Sequence, residues 1–178
     1  MAHSRKLTFA LLALVVLSVA NLVFFPEVVS AWWHLRHGSS MRFSDWKVTV
    51  PWRWWAFTGG EQLIVQRMGR FYAPGDLADI VLGTLEIHNG QPVKSETLEK
   101  SQIAVMSRDG YVLRGRRDWA VNGHAGFCAE FAPAHDSGRI WIDCESPEAG
   151  LAVNFQGRES YRANFYDVLS QIKPWPSK

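Results

Sequence analysis

Cysteine is nearly absent from this chain: there are two in 178 residues, Cys128 and Cys144. That leaves no Cys-x-x-Cys pair for redox work or for a zinc site. A Gly-x-Ser-x-Gly nucleophile elbow, a phosphate-cradling glycine loop and a His-Glu-x-x-His motif are missing too. The carboxylates Asp109, Asp118, Glu130 and Asp143 are scattered, and no spacing marks two of them as an acid/base pair. These absences point to a non-catalytic protein with no catalytic residues and no cofactor.

Charge of one sign is also lacking. From Gly38 onward there are 16 Lys/Arg and 16 Asp/Glu, so the bulk of the chain has no formal net charge. Binding nucleic acid needs a basic face that displaces counterions, and the only basic cluster is Arg114 to Arg117. Nucleic acid is therefore excluded as a partner. Internal repeats and low-complexity segments are absent as well.

One long hydrophobic run is present: "LTFALLALVVLSVANLVFF", Leu7 to Phe25, contains no charge. A helix rising about 1.5 Å per residue needs roughly 20 such residues to cross a bilayer core of about 30 Å. Arg5 and Lys6 precede it, and positive charge stays cytoplasmic, so the N-terminus is expected inside and the rest outside. Ser18-Val19-Ala20 is a small-x-small cleavage site, and a cleaved signal peptide is the competing reading. The apolar run continues past that site to Phe25, which favours an uncleaved anchor. The expected organisation is a cytoplasmic stub and signal anchor over 1–25, a juxtamembrane helix or linker over 26–40, and an extracytoplasmic domain over 41–178. The expected location is the bacterial cytoplasmic membrane, crossed once, with the bulk on the periplasmic side.

Pro26 and Gly38 bracket a second helical piece from about Glu27 to His37, continuing the anchor with a kink. Trp32 and Trp33 would lie near the outer headgroups, where indoles are favoured. His34 and His37 form an i, i+3 pair. They are weak candidates for a metal or tetrapyrrole, because no third ligand is evident and histidines with Arg36 at a headgroup boundary are the common case.

After Gly38 the texture is β-like. Short strands are expected at Met41–Phe43 and Trp46–Val50, then at Glu61–Arg67 and Asp79–Ile87. Ser95–Asp109 reads as a helix capped by Ser95, with Leu98, Gln102, Val105 and Met106 on one face. Strands follow at Tyr111–Arg116, Trp119–Val121, Gly126–Ala132, Arg139–Cys144 and Leu151–Gln156. A closing helix over Glu159–Ile172 carries Tyr161, Phe165, Val168, Leu169 and Ile172 in one stripe. Cys128 and Cys144 flank a strand, turn, strand unit around His135–Gly138. A hairpin centred on Asp136 would set the two cysteines opposite each other as a disulfide. The alternative is two separate buried thiols. A nucleophilic Cys128 with His124 as base and Asp143 as orienter is the third use of these residues.

Strands in series with two amphipathic helices pack as an α+β sandwich. The strand running into "VPWRWWAF", the middle helix, the entry "VNGHAGF" and the closing "FYDVLSQIK" resemble the PsbP-like α/β/α sandwich superfamily over roughly Met41 to Lys173. The resemblance implies an antiparallel sheet with helices packed on it. It also implies a role like that of extrinsic photosystem subunits or exported lipoproteins, with no catalytic set to carry over. The transmembrane anchor and the crowding of tryptophan depart from that pattern.

That crowding is the remaining signal, since nine tryptophans include Trp46, Trp52, Trp54 and Trp55 in one stretch. Strand alternation would put Trp52 and Trp54 on one face and Trp55 on the other. Such rings fill a core, meet a membrane or partner, or hold a small apolar ligand. The expected contact set is Trp32, Trp33, Trp52, Trp54 and Trp55, with Trp54 or Trp55 meeting a protein or lipid surface. The function expected is an accessory or interaction subunit, docked on a larger membrane complex. A lipid- or pigment-binding exported domain is the alternative, and an exported hydrolase the weaker one.

Overall fold

The computed structural model describes residues 2–69, 76–85, 94–136 and 138–176. The chain opens with α1 (Ala2–His37), one helix of 36 residues with Pro26 inside it. The second helical piece continues the first with a bend, as the proline suggests. Among the described residues no single helix is long and apolar enough to cross a membrane. Two parts of α1, Leu11–Ala20 and Phe24–His37, pass by length and composition only when taken together, across a bend of 63°. Proline removes the hydrogen bond to the carbonyl four residues back, here residue 22, which lies inside the bend.

A small antiparallel sheet follows, formed by β1 (Ser40–Phe43), β2 (Trp46–Thr49) and, from the far end of the chain, β10 (Lys173–Pro174). β1 and β2 turn at Ser44–Asp45, as expected, and Phe43 pairs with Trp46. The main sheet has seven strands, all antiparallel: β3 (Trp55–Gly59), β4 (Gln62–Arg67), β5 (Ala78–Thr84), β6 (Tyr111–Val121), β7 (His124–Pro133), β8 (Arg139–Ser146) and β9 (Leu151–Arg158). Their spatial order is β3-β4-β5-β9-β8-β7-β6. The two strands expected at Tyr111–Arg116 and Trp119–Val121 are one, with a register shift between Leu113 and Gly115. Residues 86–87 of the expected fourth strand lie outside the described residues. β6 and β7 reverse at Asn122–Gly123, where φ is 52° and 84°. Two successive positive φ values make the hairpin turn that Asn-Gly favours.

Residues alternate between the two faces of the sheet, and each face has its own helix. One face presents Leu63, Val65, Ile80, Leu82, Ile142, Val153 and Phe155, all fully buried. Against it lies α3 (Arg162–Ser170), entered through a single 3-10 turn at Glu159–Tyr161. Phe165 stacks on Phe155 with ring centres 5.3 Å apart, and Val168, Leu169 and Ile172 complete the stripe. The opposite face carries α2 (Ser95–Arg108), which covers Ala129, Phe131 and Trp141 with Met106 and Ile103. Ser95 is the first helical residue of α2 and not its cap: Lys94 holds that place and makes no side-chain cap bond.

The tryptophan-rich segment is not a continuous strand. Residues 51–54 turn, with the Trp54 amide donating to the Pro51 carbonyl at 3.0 Å and Arg53 at φ 73°. The turn resets the alternation, so Trp54 (0% exposed) and Trp55 (8%) both enter the core while Trp52 (65%) stays out. The last turns of α1 close over them. Ser30 Oγ donates to the Trp54 carbonyl at 3.0 Å, and Trp33 Nε1 donates to the Ala56 carbonyl at 2.6 Å.

Trp54→Ala is expected to cost about 3–5 kcal/mol of stability, and Trp52→Ala within about 0.5 kcal/mol. Urea unfolding of the full chain in detergent, followed on the sheet, checks the difference between the two variants.

Candidate functional site

Two regions present chemistry, and neither is the tryptophan cage that the spacing suggests. The first is the outer face of α1. Phe24 (55% exposed), Val28, Trp32 (65%) and Leu35 (83%) follow one another at three- and four-residue steps, on a single helix face. Trp32, Leu35 and Arg36 line an open groove of about 310 Å³ there. Below it, Leu11, Leu12, Leu14, Val15, Val16, Leu17 and Val19 are all more than half exposed. Trp33 departs from the expected contact set: it is 8% exposed, because its indole is committed to the Ala56 carbonyl. Trp54 and Trp55 depart from it for the same kind of reason, since buried rings meet no outside surface. Trp32 and Trp52 keep the exposure that contact requires.

His34 and His37 are engaged by the backbone. His34 sets Nδ1 2.9 Å from the Gly38 carbonyl and Nε2 3.1 Å from the Pro51 carbonyl. His37 Nδ1 lies 3.1 Å from the Trp33 carbonyl, and its ring stacks on Trp33 at 5.0 Å. Both His34 nitrogens lie within hydrogen-bond distance of backbone carbonyl oxygens, which occupy the approach to the ring. Among the described residues no group of three His, Cys, Asp or Glu could hold a metal ion.

Cys128 and Cys144 stand opposite each other on β7 and β8 and are joined by a disulfide. Cys128 therefore has no thiol to act as a nucleophile. Asp143 points to the other face of the sheet, and His124 lies beside Glu148 at 3.5 Å. The three residues of the hydrolase reading are not brought together.

The second region was not marked by any motif. Trp141, Asp143 and Glu145 alternate along β8 and share the face that α2 covers. With Leu98, Ser101, Gln102, Val105 and Met106 of α2 they line an open cavity of about 280 Å³. Trp141 also borders a second cavity of about 210 Å³, lined by Asp79, Val81, Asn154, Phe155 and Gln156. Gln102 Nε2 donates to Glu145 Oε1 at 2.5 Å. Four buried atoms here have no hydrogen-bond partner: Trp141 Nε1, Asp143 Oδ1, Glu145 Oε2 and Gln102 Oε1. Burial, with the neighbouring Glu145 charge, pushes the Asp143 carboxyl up to about 7. Burial also raises Glu145, against the Gln102 hydrogen bond, and raises Asp79, against its bond from Gln66.

The opposite face handles a buried carboxylate differently. Glu130 accepts hydrogen bonds from Arg162 and from the Tyr166 hydroxyl, with Arg117 3.5 Å away. Burial alone would raise Glu130. The bonds from Arg162 and Tyr166 and the two guanidinium charges outweigh it, and the carboxyl is lowered. Glu130 is thus a satisfied structural tie, and Asp143 is not.

The two carboxyls act on stability with opposite sign. Asp143 holds a proton in the fold that the unfolded chain gives up above its ordinary value of 3.8. Its contribution therefore worsens as pH rises from about 4 to about 7, by at most about 4 kcal/mol. The contribution of Glu130 is present above its ordinary value of 4.5 and lost as pH falls below it. Asp143→Asn is expected to stabilise the protein at pH 8 and to leave it nearly unchanged at pH 4, as read from thermal midpoints at the two pH values.

No family model matches this sequence, and no curated protein matches it. Solved structures do. The cyanobacterial PsbP of Synechocystis superposes with a TM-score of 0.50 at 10% identity, over 77% of this chain and 93% of that one. A Pseudomonas aeruginosa protein of unknown function superposes with a TM-score of 0.48 at 15% identity, over 78% of this chain and 97% of its own. The chain has the PsbP-like α+β fold, with antiparallel sheets and helices packed on both faces of the larger one.

Proposed function

We propose that this chain is a single-pass membrane protein, N-terminus inside, whose PsbP-like domain is a non-catalytic accessory module on the outer face of a bacterial cytoplasmic membrane. The observation that carries the reading is the state of α1. Its residues from Leu11 to Val19 expose apolar side chains at 52–69%, while its last turns are built into the core of the domain. An exposed apolar surface of this extent marks a membrane or partner contact. Lipid is the environment that a charge-free helix behind Arg5 and Lys6 suits best. The domain would then be set on the membrane by a short, hydrogen-bonded joint.

The partner would be a neighbouring membrane-protein helix. The stripe of Phe24, Val28, Trp32 and Leu35 lies on one face of α1 beyond the bend, and it ends in the groove beside Arg36. Restriction to the membrane keeps such a module at high local concentration beside its partner. The lipid or pigment reading required a cage of indoles in the Trp46–Trp55 stretch. With Trp54 and Trp55 in the core, that cage has no walls, and the reading is not carried further.

Two measurements test the proposal. After alkaline carbonate extraction the full chain is expected in the membrane pellet, and the double variant Leu14→Arg, Val16→Arg outside it, since each arginine at a helix centre costs roughly 2.5–3.5 kcal/mol of insertion. Recovery of the unaltered chain in the soluble fraction would contradict the anchor. Trp32→Ala with Leu35→Ala is expected to release a co-purifying membrane partner in mild detergent without lowering the unfolding midpoint. Retention of the partner by that variant would contradict the docking face.

A further inference from the structure

The cavity beneath α2 holds two carboxylates that the accessory role does not use. Glu145 is only 8% exposed, its Oε2 has no partner, and it lines the cavity. Asp143 stands two residues away on the same face of β8, with Oδ1 equally unpartnered. Among the described residues no lysine, arginine or histidine pairs with either of them. A buried carboxyl with no cation beside it keeps its proton or meets a cation from outside, because an isolated buried charge loses its hydration with nothing in return. The contrast inside this molecule is direct: Glu130, buried to the same degree on the other face, has Arg162, Arg117 and Tyr166.

The rest of the cavity narrows the chemistry of what is missing. Asp143, Glu145 and Gln102 line the cavity with acceptor-bearing side chains, so the wall suits a donor with several N–H bonds. The remaining wall is apolar, from Leu98, Val105 and Met106, and suits a hydrocarbon stem. The Trp141 ring borders the same space, where a cation can lie over an aromatic face. Among the described residues no group of three His, Cys, Asp or Glu could hold a metal ion, and two carboxyls with an apolar wall suit an organic cation better.

We infer that this cavity is a binding site for an organic cation, a primary ammonium or guanidinium on a short apolar stem, held between the carboxylates of Asp143 and Glu145 and the ring of Trp141. The stem lies along Val105 and Met106, and the charged head replaces the pairing that the two carboxylates lack. The same chemistry comes from a free alkylamine or from a lysine or arginine side chain of another protein. The site is on the sheet, away from the α1 stripe, and stands or falls independently of the membrane reading.

The test uses the full chain in detergent micelles with its tryptophan indoles labelled for NMR, the Trp141 signal being assigned by its loss in Trp141→Phe. Butylammonium is expected to shift that signal saturably, and 1-butanol, its uncharged counterpart, to leave it in place. Asp143→Asn and Glu145→Gln are each expected to weaken the response roughly tenfold, which is about 1.4 kcal/mol. The other indole signals report whether those variants stay folded. Val105→Trp, which fills the mouth of the cavity from an exposed position of α2 and spares both carboxylates, is expected to abolish the response. A capped lysine peptide binding more tightly than butylammonium identifies a protein side chain as the natural occupant, and the reverse order a free amine. Equal shifts by butanol and butylammonium, or a response that survives Val105→Trp, would overturn the assignment.

Discussion

The seating of the end of α1 on β3 is the constraint on which the rest of the structure depends. Two side-chain bonds fix it, from Ser30 to the Trp54 carbonyl and from Trp33 to the Ala56 carbonyl. The first binds the turn that brings the chain back after β2, and the second binds the first strand of the large sheet. Trp33 at once fills the core and ties off a backbone acceptor of β3, which is an edge strand among the described residues. A covered edge does not recruit foreign strands. The same contact leaves an exposed apolar helix projecting from the domain, so the proposed anchor and the core packing share one joint.

The larger sheet then separates two kinds of work. Its α3 face is a packed core, closed by the Cys128–Cys144 disulfide and by the Glu130 cluster, in which every charge has a counterpart. Its α2 face is only partly covered and keeps carboxylates without counterparts. Unpaired buried charge lowers stability, and a fold retains such groups where they bind or react. The difference between the faces is the ground for the proposed cation site on the α2 side.

Much of the fold was legible in the residues because local and tertiary preferences agreed. The stripe of Phe165, Val168, Leu169 and Ile172 could pack only one way, and Asn122-Gly123 has one favoured turn. The tryptophans were misplaced because alternation was carried through Pro51–Trp55. Nothing in the sequence marks Arg53 as adopting φ 73°, a conformation that arginine rarely takes and that the surrounding packing imposes. Ser95 was misplaced by a single position, which is within the ordinary fraying of helix ends. The acidic cavity was legible only in part. "IWIDCE" alternates Ile140, Ile142 and Cys144 with Trp141, Asp143 and Glu145, which reads as core on one side and solvent on the other. That α2 comes to rest on the polar side is a tertiary fact, set by the route of the chain from β5 to the opposite edge at β6.

The central proposal is that a membrane segment and a PsbP-like domain are joined through one bent helix. Hydrogen exchange on the full chain in lipid nanodiscs tests it most directly. The proposal predicts two protected stretches, with the amides of residues 11–20 shielded by the bilayer and those of 28–37 exchanging as slowly as those of β8 and β9. Rapid exchange at 28–37 would contradict the seated joint, and rapid exchange at 11–19 would contradict the membrane span.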